Sequence, residues 1–182
     1  MAQDRPAATI ADYEQLLEVA LHTLHLEFDH INRDHLHGAL LPPGFALHDG
    51  TSRLGYWHPG RRVISVSMDL LLGDSWDRVV EVLTHEMAHH YADEILGTRG
   101  EPHHGPKFRH ACELLGISSH TSIGRRGRED DTSGVAARID ELKSRHLALV
   151  GLLGDAAQIE HLSLGRSFLR IPAEHYALGS AL

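Results

Sequence analysis

Two histidines four residues apart, with a glutamate beside the first, stand at His85-Glu86-Met87-Ala88-His89. If this segment is helical, residues four apart share a face, and both imidazoles can reach a single divalent ion. Glu86 then lies near an ion-bound water rather than on the ion. From there it can take the water's proton and later pass it to a leaving amine. Zinc accepts imidazole ligands, lowers the pKa of bound water to about 7 and polarises a scissile carbonyl. The chemistry read from these residues is hydrolysis of a protein or peptide, with one Zn2+ as cofactor and Glu86 as general base.

The five residues alone do not decide the matter. The chain has 17 histidines among 182 residues. A shuffled chain of that composition is expected to contain roughly 0.1 such motifs. A catalytic zinc site also needs a third protein ligand and an open position. His103 and His104 follow a glycine-containing loop that can fold back on the helix, and the residues by themselves leave the choice between them open. If His103 is not the ligand, it is placed to bind substrate or stabilise an oxyanion. Asp93, one turn beyond His89, is either an acceptor for a ligand's free ring N–H or a solvated or capping carboxylate.

The elements that must position these residues are partly readable. Residues 9 to about 32 predict a helix, with Thr9 as N-cap and Asp12 in the first turn. Ile10, Tyr13, Leu17, Ala20, Leu21, Leu24, Phe28 and Ile31 recur at helical spacing on one face. His37-Gly38 and Pro42-Pro43-Gly44 break it. Segments 45–48, 53–57 and 61–67 have strand character, the last through Val63, Ile64 and Val66. Asp49-Gly50 and Pro59-Gly60 supply turns, and such short connections predict an antiparallel meander. Residues 68–72 predict a helical turn. Asp74 or Ser75 then caps a long helix to about residue 96, which contains the His-Glu motif and buries Trp76, Val79, Val80, Leu83, Met87 and Tyr91. Gly97 and Gly100 end it. Gly105-Pro106 opens a third helix through Leu115, with Phe108, Ala111, Cys112 and Leu115 facing inward. Residues 135–153 predict a further helix.

Taken together, His85-Glu86-Met87-Ala88-His89 followed by His104-Gly105-Pro106-Lys107-Phe108 resembles the SprT-like metallopeptidases, the family that includes the Spartan proteases, which degrade proteins crosslinked to DNA. Leu41-Pro42, Gly55-Tyr56 and the strand at 63–67 resemble the family's upstream elements, so the likeness runs over roughly residues 12 to 118. It implies that His104, rather than His103, is the third zinc ligand beside His85 and His89. It implies an α+β, zincin-like fold: a small antiparallel three-stranded sheet packed with an N-terminal helix and the HExxH zinc helix. The expected organisation is a metallopeptidase domain over 9–120, a charged linker over 121–134 and a helical C-terminal appendage over 135–182. Many bacterial members carry a cysteine zinc ribbon, which this chain, with Cys112 alone, does not.

Composition narrows the remaining classes. A formal net charge of −8 is unlike that of a general nucleic-acid binder. Arg99, Lys107, Arg109, Arg125, Arg126 and Arg128 nevertheless make a locally basic stretch, which is either a DNA contact or, more commonly for such clusters, a solvated surface. A single cysteine excludes an intrachain disulfide and fits a reducing, cytoplasmic setting. The first fifteen residues show no secretory h-region, and the longest apolar run, 147–153, is too short to span a bilayer, so no membrane partner is expected. The alternative to the peptidase is a non-catalytic, zinc-containing DNA- or protein-binding module.

Overall fold

A computed structural model describes residues 9–49, 53–98, 100–119 and 134–153. The linker expected over 121–134, apart from Gly134, lies outside the described residues. So do Arg99, Arg125, Arg126 and Arg128 of the basic stretch and residues 154–182 of the expected appendage.

Helix α1 (Ile10–Leu36) starts with a reciprocal cap. The Thr9 hydroxyl accepts from the Asp12 N–H, and the Asp12 carboxylate accepts from the Thr9 N–H. Its inner face, Leu16, Ala20, Leu24, Phe28 and Ile31, is buried. The helix passes the expected stop near Asn32 and ends at His37, which takes the left-handed conformation at φ 53°. Asn32 does not end the helix. Its side-chain amide donates to the Leu40 carbonyl at 2.9 Å and accepts from the Leu40 N–H at 3.1 Å, pinning the chain that returns from α1.

Three strands follow, β1 (Gly44–His48), β2 (Gly55–His58) and β3 (Val63–Ser67), in the order β1-β3-β2. The fold is α+β, as expected, but the sheet is mixed rather than an antiparallel meander. The Pro59-Gly60 turn does make β2 and β3 antiparallel, whereas β1 runs parallel to β3. The reason lies in β3. Ile64 and Val66 on one face and Ser65 and Ser67 on the other are all 0% exposed, so this strand is covered on both sides and takes the centre. Connection length alone does not reveal that.

Helix α2 (Met68–Gly73) is capped by Ser67, and helix α3 (Trp76–Tyr91) by Ser75, whose hydroxyl accepts from the Arg78 N–H. A π-helical turn (Ala92–Leu96) extends α3. Helix α4 (Pro106–Leu114) begins with Pro106 in the first turn, where a missing N–H costs nothing. Helix α5 (Gly134–Leu153) lies along α1, and Val135, Ile139 and Leu142 join the same core as α1 and α3. Among the described residues no helix is long and apolar enough to cross a membrane.

One buried acid ties three helices together. Glu27 of α1, 1% exposed, accepts from the Trp76 indole N–H at 2.8 Å and from Arg145 Nε of α5 at 2.7 Å. Glu27→Ala should lower unfolding free energy by roughly 1–3 kcal/mol, because it strands a buried indole N–H. Urea denaturation checks this, and an unchanged midpoint would show that Glu27 does not couple these helices.

Candidate active site

Helix α3 carries the core on one side and the histidines on the other. Val79, Leu83 and Met87 are fully buried, and His85 and His89 emerge one turn apart with ring centroids 5.0 Å from each other. The loop after the π-helical turn brings His104 back, its centroid 5.4 Å from His85 and 5.1 Å from His89. Each of the three offers a ring nitrogen, and these atoms lie within 4.8 Å of one another. His103 is outside this trio, with its ring 4.5 Å from that of His89.

The returning loop is held by its own contacts. Gly105 donates to the Pro102 carbonyl at 2.8 Å, and a Cβ there would stand 2.9 Å from that oxygen, so a side chain is not accommodated. Glu101 accepts from the Lys107 backbone N–H and pairs with its ammonium at 3.0 Å. Arg109 donates to the His104 carbonyl. Phe108, read from sequence only as a core residue, forms a floor beneath all three imidazoles. Its ring centroid is 4.2 Å from His89, 4.5 Å from His104 and 5.1 Å from His85.

Burial sets the charge state of the cluster. It pushes His85 down to about 4 and His89 down to about 2, with the neighbouring histidines opposing protonation further. Both are neutral near pH 7, so their nitrogen lone pairs are available. His85 Nδ1 is buried without a hydrogen-bond partner. Neutral imidazole donors with no thiolate or carboxylate among them fit the ligand preferences of zinc, and a set of three leaves a position for substrate.

Glu86 is 6% exposed and points into the seam between α3 and β2. The Trp57 backbone N–H donates to its Oε2 at 2.9 Å. Burial raises the carboxyl to about 8, against the lowering effects of that N–H and of the Arg53 charge. This approach requires Gly55. A Cβ at Gly55 would lie 2.5 Å from Val82 Cγ1 and 3.0 Å from Glu86 Cγ.

Trp57 was not singled out by the sequence, yet it makes three contacts with α3 and its π-helical extension. Besides the N–H to Glu86, its ring stacks on His90 at 4.0 Å, and its indole N–H donates to Asp93 Oδ2 at 3.3 Å. Asp93, considered above as an acceptor for a ligand ring, therefore serves Trp57 and the Thr98 hydroxyl instead. His90 is fully buried between Trp57 and Phe28, with Nε2 3.1 Å from a Glu94 carboxylate that Arg62 also grips. The available signal was the alternation of β2, which puts Gly55 and Trp57 on one face.

The SprT-like family profile matches residues 24–126, more than half of the chain and inclusive of all these site residues. No curated protein and no solved structure gives a significant match.

Gly55→Ala is expected to push β2 from α3, lengthen the Trp57–Glu86 contact and cost roughly 1–3 kcal/mol, as overpacking does. Thermal and urea melts measure this. A variant as stable as the parent would show that the close approach is not required.

Proposed function

Because this chain belongs to the SprT-like family, we propose that it is a zinc-dependent metalloendopeptidase, with His85, His89 and His104 holding one zinc ion and Glu86 acting as general base. The observation that carries this reading is the convergence of three imidazoles beside a buried carboxylate whose orientation is fixed by a backbone N–H. Zinc, when bound, supplies Lewis acidity that makes water a nucleophile near neutral pH and polarises a carbonyl.

The chain's own residues supply the rest. His85 and His89 are set by helical spacing, and His104 by a loop tied to α4. Phe108 excludes water from beneath the rings. Trp57 holds one carboxylate oxygen of Glu86, so the group cannot swing away, while its other lone pairs remain to receive a proton. Held beside the ion by that N–H, the carboxylate is placed to take a proton from water and return it to the leaving amine. The likeness to Spartan-type proteases points to proteins associated with DNA as the substrate class. The rival reading, a zinc-containing binding module, has no need of a pinned carboxylate at this place.

Two measurements test the proposal. Zinc per chain after extensive dialysis should be close to one in the wild type and should fall in His104→Ala. No retained zinc, or no difference between the two, would remove the three-histidine site. Glu86→Gln should retain zinc while hydrolysing peptides roughly 10²- to 10⁴-fold more slowly. Normal turnover by that variant would remove Glu86 as base, and a zinc-loaded protein with no hydrolysis in either form would favour the binding module.

A further inference from the structure

A second line of side chains leads away from the histidine cluster and takes no part in metal binding or proton transfer. The exposed His103 ring lies 4.5 Å from His89. The Tyr56 ring of β2 stacks against His103 at 6.5 Å with an interplanar angle of 27°. The guanidinium carbon of Arg53 sits over Tyr56, 4.9 Å from the ring centroid. A guanidinium over an aromatic face is restrained there while its N–H edge stays available for hydrogen bonds.

Among the described residues, three other cations near the site are already engaged. Arg62 is paired with Glu94, Lys107 with Glu101, and Arg109 donates to the His104 carbonyl. Among the described residues no carboxylate lies within ion-pair distance of Arg53, and its side chain is exposed. Its charge still reaches the site. Burial dominates at Glu86 and at His103, raising the first and lowering the second, and the Arg53 charge lowers both.

We propose that Arg53, braced by Tyr56 and His103, is a specificity-determining residue that receives an Asp or Glu side chain of the substrate close to the scissile bond. This rests on the peptidase reading above. A planar guanidinium with a free edge matches a carboxylate in bidentate geometry. Three ring contacts connect it to His89, so the group it binds lies near the reacting atoms. An arginine held over an aromatic ring, on a chain with formal net charge −8, suits a single carboxylate better than a nucleic-acid backbone.

The test uses the zinc-loaded full chain and a randomised pool of synthetic peptides, with cleavage products identified by mass spectrometry. The expected result is enrichment of Asp or Glu at one fixed position from the cut. The kcat/KM ratio of a Glu peptide to its Gln isostere should be roughly tenfold, falling to about one in Arg53→Gln and inverting toward Lys or Arg in Arg53→Glu. An unchanged ratio in Arg53→Gln, or wild-type cleavage with no acidic preference, overturns the proposal. Binding of the same two peptides to Glu86→Gln, followed by calorimetry, separates this failure from failure of the peptidase reading. If no peptide is cleaved but the Glu peptide binds more tightly and this difference is lost with Arg53→Gln added, the subsite stands and the peptidase reading falls. Equal binding of the two peptides overturns the subsite. Displacement of the Glu peptide by a single-stranded oligonucleotide at equal concentration would assign the cation to nucleic acid and also overturn it.

Discussion

The approach of the β2 backbone to helix α3 is the contact on which the site depends. With no side chain at Gly55, the strand lies against Val82 and Glu86, and the next N–H but one, that of Trp57, reaches the Glu86 carboxylate. A carboxylate this deeply buried carries a large desolvation penalty unless donors face it. The same penalty raises its basicity. One backbone donor therefore keeps the acid tolerable inside the fold and fixes where it points, while burial makes it a better proton acceptor.

That donor exists only because of the strand order. In a β1-β2-β3 meander, β2 would be central and both edges of its backbone would be spent on neighbouring strands. In the observed order β2 is an edge, with β3 on one side alone, and the Trp57 N–H is left for the helix. The covered character of β3, with apolar residues on one face and buried serines on the other, puts that strand in the middle. The mixed sheet is thus part of how the site is built.

What could be read from the sequence was mostly local. Helical spacing placed His85, Glu86 and His89 on one turn, the Thr9 cap was visible, the cap of α3 was narrowed to Asp74 or Ser75, and Gly105-Pro106 marked the start of α4. The resemblance to a family, rather than spacing, singled out His104 over His103. Contacts between distant segments were hidden, since Trp57 and Glu86 are 29 residues apart and neither side chain specifies the other. Asp93 illustrates a subtler loss. Extending α-helical phase from His89 puts Asp93 on the ligand face. The wider π-helical turn from Ala92 changes that phase, and Asp93 meets the Trp57 indole. Nothing in the local residues announces a π turn.

Seventeen histidines made any one of them weak evidence, and among the described residues the fold shows other uses for several. His90 is filling, stacked between Trp57 and Phe28. His25 packs edge-on against Phe45, and His58 bonds the Ser65 hydroxyl within the sheet. In each case the imidazole acts as a flat ring with a polar edge. The candidate centre differs in convergence rather than in residue type. A shared aromatic floor, a helical turn and a tethered loop bring three ring nitrogens within reach of one point. Because burial keeps His85 and His89 neutral, an incoming cation does not have to displace protons from them near pH 7. Preorganisation would favour such a cluster over separate histidines as a cation site, since scattered rings would each have to move, and lose entropy, to offer a comparable set of donors.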